Sequence, residues 1–167
     1  ARENPPGLVC CVPLVAGPQT KYEEYYPGGA LRTEYVEQLG NLGFGSNLIL
    51  NNPVRNGLWQ IVENNSWYPS AIEVPMFMIG GWYDHNVNVM TEFFDAIQQQ
   101  SAQAVRDEHK LMMGPWAHGG FGSAQVGTCM QGELTYNEAC QWSDSLAWDF
   151  FDFYLQNDQN GWDANQA

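Results

Sequence analysis

VPMFMIGGWYD (Val74–Asp84) and HKLMMGPWAHG (His109–Gly119) are the two stretches on which the fold turns. Each is a short apolar run that stops at glycine and then delivers an ionisable side chain. Runs of that length predict strands buried on both faces, as in a parallel sheet. We read Glu73–Gly80 and His109–Met113 as two such strands. Gly7–Val15 (GLVCCVPLV) predicts a third, bounded by Pro5-Pro6-Gly7 and Gly17-Pro18. Between the first two, Asn88–Gln100 sets Val89, Phe93, Ala96 and Ile97 on one helical face. Asn137–Leu155 does the same with Trp142, Leu146, Phe150 and Phe153. Strands separated by helices of this length imply an α/β fold with a parallel sheet and right-handed crossovers.

The region after the first strand is less regular. Gln19–Gly29 reads as a polar and aromatic loop closed by Pro27-Gly28-Gly29. Leu31–Leu39 predicts a short helix ending near Gly40. Asn52-Pro53 predicts a helix start, with Asn as cap and Pro in first position. Leu58, Ile61 and Val62 would then form its apolar stripe.

Composition narrows the function. The 167 residues carry 6 Lys+Arg against 19 Asp+Glu, a formal charge of -13. A field of that sign repels phosphate, so nucleic acid and anionic membrane surfaces are excluded as expected partners. Charged residues are only 15%, against a usual ~25%, and 7 Trp, 8 Tyr and 8 Phe fill the gap. Few lysines and many aromatics point to an exported protein, secreted or periplasmic. Cys10, Cys11, Cys129 and Cys140 show no zinc spacing. They read first as small buried apolar residues, with a Cys129–Cys140 bridge as the alternative. There is no phosphate loop, dinucleotide fingerprint or cation-binding loop, so neither a cofactor nor a metal is expected.

The chemistry lies in the two strand exits. Gly80-Gly81-Trp82-Tyr83-Asp84 and Gly114-Pro115-Trp116-Ala117-His118-Gly119-Gly120 place one Asp and one His 34 residues apart, just past buried strands. In a parallel sheet that is where reactive groups gather. An acyl-transfer triad needs this pair: the His shuttles a proton and the Asp holds its tautomer. Taken singly, such an Asp is usually a turn former and such a His a packed residue. Position, order and spacing together strengthen the catalytic reading, with a turn-forming Asp and a packed His as the alternatives. Trp82, Tyr83 and Trp116 are the candidate walls of an acyl pocket, with core packing as the alternative. His85 is a second candidate base, but its adjacency to Asp84 on the loop is expected to point it elsewhere. His109 reads as structural. Glu23 and Glu24 could attract a substrate ammonium, or belong to a solvated loop.

The two long motifs resemble the cocaine esterase and X-prolyl dipeptidyl-peptidase type of α/β-hydrolase, a peptidase S15-like family. Its members carry the triad Asp in G-G-W-x-D and the triad His in G-P-W-x-H-G. Weaker likenesses extend along the chain: Pro5-Pro6-Gly7-Leu8, Pro27-Gly28-Gly29, and WDFFDFYLQN around Phe151-Asp152 and Leu155. The resemblance implies the C-terminal half of a hydrolase sheet with a short helical cap insertion. It implies residues 1–16 as a core strand and 17–70 as the cap. Residues 71–157 would be the core bearing the Asp and His loops, and 158–167 a linker toward a C-terminal jelly-roll domain. It also implies a serine nucleophile in a strand-to-helix elbow. None of the seven serines (46, 66, 70, 101, 123, 143, 145) has the flanking glycines, Gly45-Ser46 and Gly122-Ser123 being the nearest imitations. The nucleophile is therefore expected upstream, in a longer chain whose other segments partner this one.

The expectation is a serine-dependent hydrolase of ester or amide bonds, X-Pro or amino-acyl bonds among them. Its partner would be a small ester, amide or peptide. The rival of another class is a structural protein that kept the fold and lost its nucleophile, packing against copies of itself as a homo-oligomer. A third reading keeps the fold but makes it a dienelactone-hydrolase or acyltransferase relative.

Overall fold

The computed structural model describes residues 1–119, 126–140 and 142–164, with only the backbone at 142–144 and 164. Gly120, Gly122-Ser123, the Trp142 side chain and the end of the expected linker lie outside the described residues. In chain order the elements are α1 (Tyr22–Tyr25), α2 (Thr33–Asn41), α3 (Asn47–Leu50), α4 (Gly57–Ser66), β1 (Phe77–Gly81) and α5 (Val87–Gln100). Then follow β2 (Lys110–Gly114), β3 (Met130–Gln131), β4 (Leu134–Thr135) and α6 (Trp142–Gln156). The fold is mixed α/β. β1 and β2 form a parallel pair and β3 and β4 an antiparallel hairpin. The chain divides into two compact units, one of Ala1–Gly17 with Tyr68–Ala167 and one of Pro18–Trp67.

β1 is the centre of the first unit, and all five of its residues are buried. Side chains alternate along a strand, and the two faces of β1 meet different helices. Phe77 and Ile79 join Trp116, Phe150 of α6 and Trp162 in one cluster with Cys10. Phe77 meets Trp162 at 5.0 Å between ring centroids, and Phe150 meets Trp162 at 5.2 Å. On the other face Gly80 abuts the thioether of Met90 on α5. α5 buries Val89, Met90, Phe93, Ala96 and Ile97, the stripe expected from its 3.6-residue spacing.

The first predicted strand departs most from expectation. Residues 7–15 form no continuous strand: their ladder to β1 and the residue before it consists of the isolated parallel bridges Cys11–Met76 and Leu14–Ile79. Pro13 has no N–H to give to a ladder, although its carbonyl accepts from Ile79 at 3.0 Å. Nor is the segment buried on both faces, since Val9 and Leu14 are exposed. Among the described residues no further strand pairs with its outer edge. The apolar run alone could not reveal that.

Behind the sheet, His109 is buried and bonded at both ring nitrogens. Its Nδ1 accepts from the Met76 N–H at 3.2 Å, so Nε2 carries the proton toward the Ser101 hydroxyl at 3.0 Å. Burial lowers its pKa to about 4. This is the structural His the sequence suggests. The Ser101–His109 pair is sealed from solvent and cannot meet a substrate.

In the second unit, Gln19–Gly29 is not a plain loop: it holds α1 and a 3-10 turn at Pro27–Gly29. Tyr22 stacks on Tyr26 at 5.0 Å and sits edge-on to Trp59, and this aromatic packing organises the segment. α4 starts later than Asn52-Pro53 suggests. The Asn56 side chain accepts from the Leu58 and Trp59 N–H groups, which makes it the cap. Asn52 instead donates to the Leu48 carbonyl. The buried face of α4 is Trp59 and Glu63, while Leu58 and Ile61 are exposed. Glu63 lies inside because Arg55 donates to its carboxylate, which holds its pKa below the usual value. α2 falls two residues beyond the predicted Leu31–Leu39. Among the described residues no helix is long and apolar enough to cross a membrane.

Two stability predictions follow from this core. Phe150→Ala should cost about 3–5 kcal/mol, read as a lower denaturant midpoint with unchanged slope. The lowered pKa of His109 means that the unfolded chain takes up a proton that the folded chain refuses, between pH 6.5 and about 4. Stability is therefore complete above that window and falls as pH drops through it, by ~3 kcal/mol. Thermal melts across the window should flatten in His109→Leu relative to the parent.

Candidate active site

β1 and β2 pair in register from Phe77–Lys110 to Gly81–Gly114. The pairing continues past the strand ends. Trp82 N–H donates to the Gly114 carbonyl at 2.9 Å and Tyr83 N–H to the Trp116 carbonyl at 3.0 Å. This zipper holds the two exit loops together. A Cβ at position 81 would lie 1.9 Å from the Trp116 carbonyl oxygen, and one at 114 would lie 2.6 Å from the Trp116 ring. Only glycine fits either place.

Asp84 follows in a tight turn, with its N–H donating to the Gly81 carbonyl at 3.1 Å. Its Oδ1 accepts from the Asn86 N–H at 2.9 Å, an Asx turn that fixes the carboxylate. Asn86 in turn donates through its side chain to the Val15 carbonyl at 3.0 Å, anchoring the loop to the first segment. The Asp84 side chain is 0% exposed, whereas His118 is 48% exposed. His118 Nδ1 lies 3.3 Å from Asp84 Oδ2, at the long end of hydrogen bonding. An ionised carboxylate only accepts, so the shared proton belongs to Nδ1 and Nε2 keeps its lone pair.

His85 is not turned away, as its adjacency to Asp84 suggested. Its Nδ1 lies 3.2 Å from Asp84 Oδ1, and its ring centroid is 4.6 Å from that of His118. One buried carboxylate thus serves two imidazoles, one on each oxygen. The turn between Asp84 and Val87 curls residue 85 back over its predecessor, which spacing along an extended loop does not anticipate. Asp84, His85 and His118 are also the described residues whose donor atoms cluster closely enough to hold a metal ion, all within 4.8 Å.

The aromatic candidates separate. Trp82 and Tyr83 are 60% and 50% exposed, beside the Asp84 turn. Trp116 is 0% exposed and belongs to the core cluster with Phe77 and Phe150, as the alternative of core packing has it. Its indole N–H donates to the Thr128 carbonyl at 3.0 Å.

Thr128 leads into a stapled hairpin. Cys129 and Cys140 form a disulfide, while Cys10 and Cys11 remain thiols. The reading of all four as buried thiols is thus corrected for this pair. The bridge encloses β3 and β4, and Tyr136 within it shares a hydroxyl contact with Tyr83 at 3.1 Å. The stapled loop therefore meets both exits, at Tyr83 and at Trp116. Neither contact carries a sequence signature.

Glu24, a candidate for ammonium attraction, is in the second unit. It is buried rather than solvated, and burial lifts its pKa to about 7. Its Oε2 accepts from the Lys21 N–H at 3.2 Å, and Oε1 has no hydrogen-bond partner among the described residues.

The profile of the X-Pro dipeptidyl-peptidase (S15) family matches residues 33–120, from α2 through both exit loops. The chain belongs to that family. No curated protein matches it. The S15 match spans Asp84, His85 and His118 and marks the chain as part of a hydrolase family.

Removing the staple tests its contribution. Cys129→Ser with Cys140→Ser should lower stability by about 2–4 kcal/mol, measured by chemical denaturation, and should speed proteolysis within 126–140.

Proposed function

We propose that this S15 chain supplies the acid–base half of a serine acyl hydrolase. One observation carries the reading: His118 faces a buried Asp84 carboxylate at 3.3 Å, where two hydrogen-bonded parallel strands end. The attacking hydroxyl would come from an elbow serine outside these 167 residues, in the same protein. His118 Nε2 takes the proton of that serine as its oxygen attacks the carbonyl carbon. The imidazolium then returns the proton to the leaving alcohol or amine, and an acyl-enzyme remains. Water repeats the cycle and frees the acid. Asp84 holds the Nδ1–H tautomer and balances the transient charge. Residues 7–15, β1 and β2 would be the last strands of an α/β-hydrolase sheet, bearing their loops at the C-terminal ends.

Substrates would be esters or amides, X-Pro and amino-acyl bonds included. Trp82 and Tyr83 offer the exposed aromatic surface against which an acyl or prolyl group could pack. The disulfide supports an oxidising compartment, secreted or periplasmic. In the full-length protein, His118→Ala should lower kcat by about 10⁶ and Asp84→Asn by about 10⁴. Hydrolysis of an Xaa-Pro anilide and of an aryl ester provides the measurement, and an unchanged melting temperature shows that folding is kept. Undiminished turnover in a folded His118→Ala protein would overturn the reading.

A further inference from the structure

We propose that Asp84, His85 and His118 form a zinc-binding site that competes with the proton-shuttling state of His118. A serine triad needs one imidazole on its carboxylate; here there are two. His85 Nδ1 and His118 Nδ1 lie 3.2 and 3.3 Å from the two oxygens of Asp84. Ligands bound to zinc at 2.0–2.1 Å in tetrahedral array stand about 3.3 Å apart. The two nitrogen–oxygen separations are of that size but run to different oxygens of the carboxylate, and the three donor atoms all lie within 4.8 Å of one another, so a bound ion would draw them together by side-chain rotation. Two imidazoles and a carboxylate are a donor set that zinc favours, with the fourth position left for water.

The surroundings suit a built site. The carboxylate is buried and anchored by the Asn86 N–H on Oδ1, the outer support that metal-binding carboxylates need. His118 is half exposed, so an ion can enter from its side. The three ligands come from two loops held together by the bonds beyond β1 and β2. No linear metal motif therefore exists in the sequence. Each neutral imidazole carries one proton. For Nδ1 to bind zinc, that proton moves through solvent to Nε2, and the net count is unchanged. A His118 in that state has no Nε2 lone pair to accept a proton from serine. Zinc is thus an inhibitor of the site, a consequence that rests on the hydrolase reading, whereas zinc binding itself does not.

Isothermal titration calorimetry of zinc chloride into the full-length protein, in chelator-free buffer near neutral pH, tests the site. One zinc per chain is expected, with magnesium chloride giving no heat of binding. His85→Asn and His118→Asn should each weaken zinc at least about 10-fold. Cobalt(II) in place of zinc should give visible bands of tetrahedral intensity that both substitutions remove. Should His85→Asn misfold, the exposed His118→Asn carries the comparison alone. Absence of a stoichiometric zinc site overturns the proposal. So does a site that survives both substitutions, which would lie elsewhere, as at the Cys10 and Cys11 thiols. Calorimetry needs no substrate, so failure of zinc binding leaves the hydrolase reading intact, and absence of hydrolysis leaves the zinc site intact.

Discussion

Beyond Gly81 and Gly114, the parallel pairing of β1 and β2 continues for two more hydrogen bonds, and the site exists because it does. Trp82 and Tyr83 donate across to Gly114 and Trp116, which pulls the Asp loop against the His loop. The approach is so close that position 81 admits no Cβ, because the Trp116 carbonyl occupies the place where it would stand. That carbonyl accepts from Tyr83, and the Trp116 indole fills the core beneath. Backbone bonding, core packing and site geometry therefore share the same few atoms.

From that constraint the electrostatics follow. Asp84 reaches a fully buried position one turn past the strand, where an unpaired carboxylate would be costly. It is paired through both oxygens: an imidazole and a backbone N–H on Oδ1, and a second imidazole on Oδ2. The buried carboxylate is thus held in place by groups of the chain itself. The disulfide-stapled hairpin meets the same two loops from outside, through Tyr136 and the Thr128 carbonyl. Stapling a small antiparallel hairpin matters because two strands of two residues have little intrinsic stability.

Much of the first unit was legible along the chain. α5 and β2 appear within a residue of their predicted bounds because apolar periodicity and glycine stops are local signals, while β1 ends near its predicted glycine but starts at Phe77, four residues after Glu73. The Asp84–His118 pairing was legible from order and spacing once a parallel sheet was inferred. Other features were not. Residues 7–15 read as a doubly buried strand, yet Val9 and Leu14 are exposed, no strand pairs with their outer edge among the described residues, and Pro13 interrupts the ladder. α4 begins at Asn56 because that side chain caps it, a choice between two asparagines that composition does not make. Trp116 reads as a wall and is a core residue, since a loop position gives no hint of which way an indole turns.

The sequence by itself determined the alternation of strands and helices, the acidic charge, and the delivery of one Asp and one His at successive strand exits. These depend on residue type and period, which act over a few neighbours. The tertiary structure alone decided that His85 shares the Asp84 carboxylate with His118, that Cys129 bonds Cys140, and that Glu24 and Glu63 are buried. Each of those depends on where a turn aims a side chain relative to distant residues. Such directions arise from close packing and hydrogen bonding in three dimensions, and no pattern along the chain encodes them separately.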